Sequence, residues 1–230
     1  MENFIMKRDF TKTVVSLAAL LMIMMLTVGF TGIDLIEKAR GKLISRLRDA
    51  KSDSDKTVRS VYAYSSKLKN FMEEDDLRDR NLRLLERYLK DIRGKYDRLN
   101  RSINTGKSDA KALFDILRPR AEENQDENLK EKLLTWIETH KICFQRQMAK
   151  TGPLMRRLDR WIQQFDDIVG YCQITREADD DSIADISRTI ENEKDLSSEI
   201  KECIDTGLEI IEKISCRNFS CDSIRGCASK

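Results

Sequence analysis

Apolar residues spaced alternately three and four apart draw one seam along a helix. Four stretches of this chain carry such a seam. The first runs through Ile36, Leu43, Leu47, Ala50, Val61, Tyr64, Leu68 and Phe71, with Arg40, Ser54 and Thr57 interrupting it. The second holds register from Leu82 through Leu85, Leu89, Ile92, Tyr96, Leu99, Ile103, Gly106, Ala110 and Leu113 to Leu117. The break-like SINTGKSD inside it is therefore expected to stay helical, since a loop would lose phase. Pro119 is expected to end the helix. In the third, Leu133, Ile137, His140, Phe144 and Met148 share a face. After Thr151-Gly152-Pro153 a new phase begins with Met155, Leu158, Ile162, Phe165, Val169 and Cys172. Pro153 there predicts a kink or a fresh first turn.

The fourth seam is Ile183, Ile186, Ile190, Glu193, Ser197, Ile200, Ile204, Gly207, Ile211 and Ile214. Isoleucine at both seam positions favours more than two helices in contact, so the pattern argues for a bundle over a two-stranded rod. The joints agree. EEDDLRDR (73–80) and EADDDSIAD (177–185) put carboxylates where helix N-termini want them, and Ser182 with Asp185 resembles a capping box. Short joints fold consecutive rods antiparallel. The expected fold is all-α: an elongated antiparallel bundle of about four long coiled-coil-like helices over residues 34–214.

Residues 13–33 break this rhythm, because all 21 are uncharged. At about 1.5 Å per residue they cover roughly 30 Å, the thickness of a bilayer core. A soluble core helix of that length would show a polar face, and this one offers only Thr13, Ser16, Thr27 and Thr31. The stretch reads as an N-terminal transmembrane helix behind a short basic N-terminus (1–12) carrying Lys7, Arg8 and Lys12. The alternative is a signal peptide cut near Thr27-Val28-Gly29, which would leave a secreted or periplasmic domain. An uncleaved anchor is favoured, because amphipathic sequence resumes at once with IDLIEKARGKLISRL. Orientation stays open. Lys38, Arg40, Lys42, Arg46, Arg48 and Lys51 pull the C-terminal side toward the cytoplasm. The export-like N-terminus and the cysteines pull it outward, and the extracytoplasmic placement is preferred.

Charge adds little. Charged residues make up 36% of the chain, yet 42 basic against 40 acidic residues leave a net charge of only +2. No global field draws nucleic acid to it, and no nucleic-acid partner is expected.

Three segments, GIDLIEKARGKLISRLRDAK, KYDRLNRSINTGKSDAKALFD and PLMRRLDRWIQQFDDIV, resemble parts of a bacterial family of membrane-associated helical proteins of unknown function. The similarity spans about residues 32–214. The chain departs from that family in lacking an N-terminal lipidated Cys, in reading CQITREADDD after the Asp-Asp-Ile-Val segment, and in its Cys-containing tail. The resemblance implies an exported, membrane-attached bundle and carries no catalytic residue across.

All six cysteines lie in the second half. An even number permits disulfides in an oxidising compartment. The tail (215–230) holds Cys216, Cys221 and Cys227 in a short flexible stretch. Two of these are expected to close a local loop, with the third free to reach Cys203 or a partner chain. Cys143 and Cys172 read as buried thiols. The tail lacks the fourth ligand and the histidine of a zinc site, and His140, the sole histidine, sits on an apolar face. TGKSD at 105–109 lacks both the first glycine and the preceding strand of a phosphate-binding loop. Asn100-Arg101-Ser102 and Asn218-Phe219-Ser220 match the glycosylation pattern, which matters only in a eukaryotic secretory pathway. No catalytic, cofactor or metal residues are assigned. The expectation is a non-enzymatic scaffolding or tethering protein at a membrane, binding protein partners or copies of itself through its seams. The alternative is a sensory bundle whose interruptions Glu193, Ser197 and Gly207 line a small ligand pocket.

Overall fold

The structure, a computed structural model, describes the backbone of residues 2–73, 79–175, 180–192 and 195–214. It describes the side chains of residues 34–71, 80–175, 180–192 and 195–214. The described chain is all-α. Its helices are α1 (Glu2–Glu73), α2 (Asp79–Glu122), α3 (Glu127–Thr175), α4 (Asp180–Asn192) and α5 (Leu196–Lys213).

Cross-helix contacts fix how the rods run. Between α1 and α2, Lys42 pairs with Asp109 and Lys95 donates to Ser60. Between α2 and α3, Gln173 donates to Glu86 and Arg93 pairs with Asp166. Against α1, Lys51 on α1 meets Asp205 of α5, and Ser65 meets Ser187 of α4. Rising numbers on one helix meet falling numbers on the next, so the rods alternate in direction. The result is an up-down-up-down bundle in which α4 and α5 together form the fourth rod. From Asp34 to Glu73, α1 alone spans about 60 Å at 1.5 Å per residue.

The seams read from the sequence are the core. Leu43, Leu47, Val61, Leu99, Ile103, Leu113, Leu158, Phe165, Ile200, Ile204 and Ile211 are buried in one continuous cluster. Tyr64 and Phe165 meet edge-on across the bundle with ring centroids 4.7 Å apart. Two seam glycines mark close approaches. A Cβ on Gly106 would lie 3.1 Å from Leu47 Cδ2, and one on Gly207 would lie 3.2 Å from Met148 Sδ. Helices approach closely at both points because no side chain stands between them.

Several expectations need correction. Ser54 and Thr57 do not interrupt the first seam: both are fully buried, small enough to occupy core positions. Pro119 does not end α2, which runs on to Glu122. So close to the C-terminus the proline forfeits one hydrogen bond, and the Glu123 N–H still donates to the Pro119 carbonyl at 3.0 Å. Pro153 does not start a fresh helix. α3 passes through it, and buried Thr151 fills the step between Met148 and Met155, donating to the Met148 carbonyl at 2.7 Å. The change of phase is a four-residue stutter inside one helix.

The fourth seam is the clearest departure. It is carried by two helices, α4 ending at Asn192 and α5 beginning at Leu196. An unbroken helix would carry Glu193 and Ser197 on its core face. In α5 Leu196 is buried and Ser197 sits half-exposed. Ser182 and Asp185 both lie within α4, which is described from Asp180, so Ser182 is no cap. Most of EEDDLRDR lies outside the described residues. The one joint seen in full, between α2 and α3, is built on Asp126, whose Oδ1 accepts from the backbone N–H groups of Asn128 and Leu129.

The uncharged stretch 13–33 lies on the backbone of α1, which is one helix from Glu2 onward, but its side chains fall outside the described ones. Among the described residues, no helix is long and apolar enough to cross a membrane.

Candidate functional site

Between α2 and α3, at the end of the bundle that holds Tyr64 and Phe165, the surface opens into a groove of about 660 Å³. Leu89, Val169 and Gly170 line its apolar part. Gly170 leaves open space where a Cβ would stand. Two polar bridges cross from one helix to the other. Gln173 Nε2 donates to Glu86 Oε1 at 2.6 Å, and Arg93 Nη2 meets Asp166 Oδ2 at 2.7 Å. Arg93 and Asp166 are half-exposed ions, and such pairs contribute little to stability.

Nearby, Tyr64 reaches in from α1. Its hydroxyl is buried and has no hydrogen-bond partner. Burial, reinforced by the negative charges of Asp166, Cys172 and Glu86, pushes its pKa well above the usual phenol range. It stays a neutral donor at any physiological pH. The groove's lining contains no hydroxyl, thiol or imidazole, and its carboxylates are engaged in the two bridges. Chemically it offers a polar rim over an apolar strip.

A second polar cluster ties the fourth rod to the first. Asp55 accepts from Ser197 at 3.1 Å and pairs with Lys201. The Lys201 bond, ahead of any other influence, holds the Asp55 carboxyl below its ordinary range. Arg40, read from the pattern as a gap in the seam, serves the end of α5 instead. Its Nε donates to the Ile211 carbonyl at 3.2 Å and its Nη2 to the Glu212 carbonyl at 2.9 Å. Both carbonyls lie in the last turn of α5, where a helix runs short of intrahelical donors; the Ile211 carbonyl also accepts from the Ile214 N–H at 3.1 Å. An Arg lying level with a helix end was the available signal, and it needs the tertiary register to be seen.

The interruptions expected to line a ligand pocket are placed as follows among the described residues. Gly207 is covered by Met148 and Phe144, Ser197 is bonded to Asp55, and Glu193 lies outside the described residues. Of the candidate disulfide residues, Cys203 is buried on α5, and burial pushes its thiol pKa up. Cys216, Cys221 and Cys227 lie outside the described residues, so the tail pairings fall there too. Cys172 is buried and Cys143 half-buried, and neither joins Cys203 in a disulfide. His140 is buried against Trp136, with ring centroids 4.1 Å apart, and its Nδ1 lies 2.9 Å from the Trp136 carbonyl. Trp161 is buried in the core. TGKSD is mid-helix in α2. Among the described residues no three His, Cys, Asp or Glu side chains are grouped to hold a metal ion.

No known protein family, no curated protein and no solved structure matches this chain.

Proposed function

We propose that this chain is a membrane-attached, non-enzymatic helical bundle that scaffolds, spaces or tethers partner proteins at a membrane surface. In this reading residues 13–33 are a transmembrane anchor, residues 34–214 are an elongated antiparallel bundle standing on it, and the bundle is extracytoplasmic. The observation that carries the reading is the continuity of α1. One helix bears both the 21 uncharged residues and the first core seam, so a rod some 60 Å tall is joined to the apolar stretch without a linker. A rigid joint of that kind suits a spacer, because it holds whatever binds the far end at a set height. The likeness of three segments to membrane-associated helical proteins supports the same reading.

The test is fractionation with thiol mapping. The full chain is expected to stay in the membrane pellet after an alkaline carbonate wash. In intact cells its tail cysteines are expected to react with a membrane-impermeant maleimide only after reductant. Complete release by carbonate would remove the anchor from the reading. Labelling that needs lysis and no reductant would reverse the orientation.

A further inference from the structure

The groove between α2 and α3 is a framed gap. Its two cross-bridges, Glu86 with Gln173 and Arg93 with Asp166, stand seven residues apart on each helix, about 10.5 Å along the rods. Between them the helices present Leu89, Val169 and Gly170, and open space stands where a Cβ on Gly170 would be. One turn beyond Gly170, on the same stripe of α3, Ile174 is 86% exposed, and Tyr171 is 42% exposed. An open gap and a projecting isoleucine one helical turn apart match the i, i+4 anchors that a partner helix lays along a groove. An extended segment finds no unpaired backbone here, because α2 and α3 satisfy their own.

Charge selects the kind of helix. Three cations line the groove, Arg87, Lys90 and Arg93, against two carboxylates, Glu86 and Asp166. Both carboxylates are taken up in the bridges, and Arg93 with them. Arg87 and Lys90 are exposed and pair with no carboxylate among the described residues, so an incoming surface meets them first. A second copy of this chain fits poorly. Among the described residues the other exposed large apolar side chains, Leu35 and Ile142, lie on two different helices and form no stripe. Two copies of the groove itself would set cation against cation. We propose that the α2–α3 groove docks an acidic amphipathic helix of a partner protein. That helix seats one apolar side chain in the gap over Gly170, rests its next turn on Ile174 and sets carboxylates against Arg87 and Lys90. This rests on the tethering reading above and names the surface that does the tethering.

Peptide binding tests this. The probes are two short fluorescein-labelled helical peptides with leucines one turn apart on one face; one carries glutamates beside the leucines and the other lysines. Anisotropy is read on the full chain in phosphatidylcholine nanodiscs, with empty discs as the blank. The acidic peptide is expected to bind saturably, about tenfold or more tighter than the basic one, and more weakly as salt rises. Gly170→Trp, which fills the gap, and Arg87→Glu combined with Lys90→Glu should each weaken it about tenfold. Lys132→Glu, exposed near the start of α3, should leave it unchanged. Far-UV circular dichroism of every variant should match the unaltered chain, since Gly170 has open space and the other three positions are exposed. Equal binding of the two peptides, no saturable binding, or binding that either groove variant leaves unchanged overturns the docking site and leaves the anchor standing. A concentration-dependent dimer in sedimentation that Gly170→Trp abolishes puts a second copy in the groove and overturns it too. A chain that fails to enter nanodiscs overturns the anchor and not the groove; the titration is then run in buffer and read in the same way.

Discussion

Ser54 and Thr57 make a matched pair for testing how this core tolerates polar groups. Both lie on α1, and both are fully buried. Thr57 Oγ1 donates to the Asp53 carbonyl at 2.7 Å, whereas Ser54 Oγ has no partner. An orphaned buried hydroxyl costs about 1–3 kcal/mol. Serine in a helix interior is also less favourable than alanine by about 0.5 kcal/mol. Both effects point the same way, and Ser54→Ala removes a single oxygen, leaving almost no cavity. The expected outcome is a stabilisation of about 1–2 kcal/mol, seen as a rise in Tm of about 2–6 °C for a chain of this size. Thr57→Val is the control. It is close to isosteric but deletes a satisfied bond, so stability should stay level or fall by up to about 1 kcal/mol. Urea unfolding of the full chain, followed by far-UV circular dichroism, measures both. The m value should not change, because neither substitution alters the surface exposed on unfolding. If Ser54→Ala destabilises, or if the two variants respond alike, the hydroxyl of Ser54 is satisfied and the reasoning fails.

Three further outcomes follow from the packing. Gly207→Leu forces a branched side chain against Met148 and Phe144, where even a Cβ would sit at 3.2 and 3.4 Å, and should cost about 2–3 kcal/mol in the same urea assay. Arg40→Ala strips two hydrogen bonds from the last carbonyls of α5; a loss of about 1 kcal/mol, with faster amide exchange confined to the end of α5, is the expected reading. His140 is held neutral because burial lowers its pKa, outweighing the backbone bond to Trp136, with Lys213 adding in the same direction. Its folded pKa lies below the unfolded value of about 6.5, so its contribution is complete above that pH and is lost as pH falls through the folded pKa. The urea midpoint should drop on acidification below about pH 6.5, and His140→Leu should remove that component of the slope. A wild-type midpoint independent of pH between 7 and 5 would contradict it.

The core was legible in the pattern because helix burial repeats at a fixed period, and that period survives mistakes about individual residues. Tyr64, Phe144, Phe165 and the isoleucines of the last rod are where the seams put them. Polarity misled at Ser54, Thr57 and Arg40. A seam reading scores residues by hydrophobicity, but a tightly packed layer also selects by size, and serine or threonine fits where leucine would not. Arg40 was opaque for a different reason. Its partners are carbonyls at Ile211 and Glu212, far away in sequence, and only the register of the folded rods brings them level. The groove near Tyr64 shares that property, since residues of both α2 and α3, about 80 apart in sequence, line it.

The fourth rod shows how a local rule can be right about composition and wrong about continuity. Ile183, Ile186 and Ile190 and then Ile200, Ile204 and Ile211 keep one heptad register, which an unbroken helix follows only by turning Glu193 and Ser197 inward. Burying a carboxylate without a partner costs several kcal/mol, while interrupting a helix gives up only a few backbone hydrogen bonds, which water or side chains replace in part. At the start of α5, Leu196 is in the core and Ser197 donates to Asp55, which Lys201 already holds ionised. The polar tie to α1 begins at the first turn of α5: Ser197, beside buried Leu196, supplies the bond that docks α5 on the helix carrying the apolar stretch.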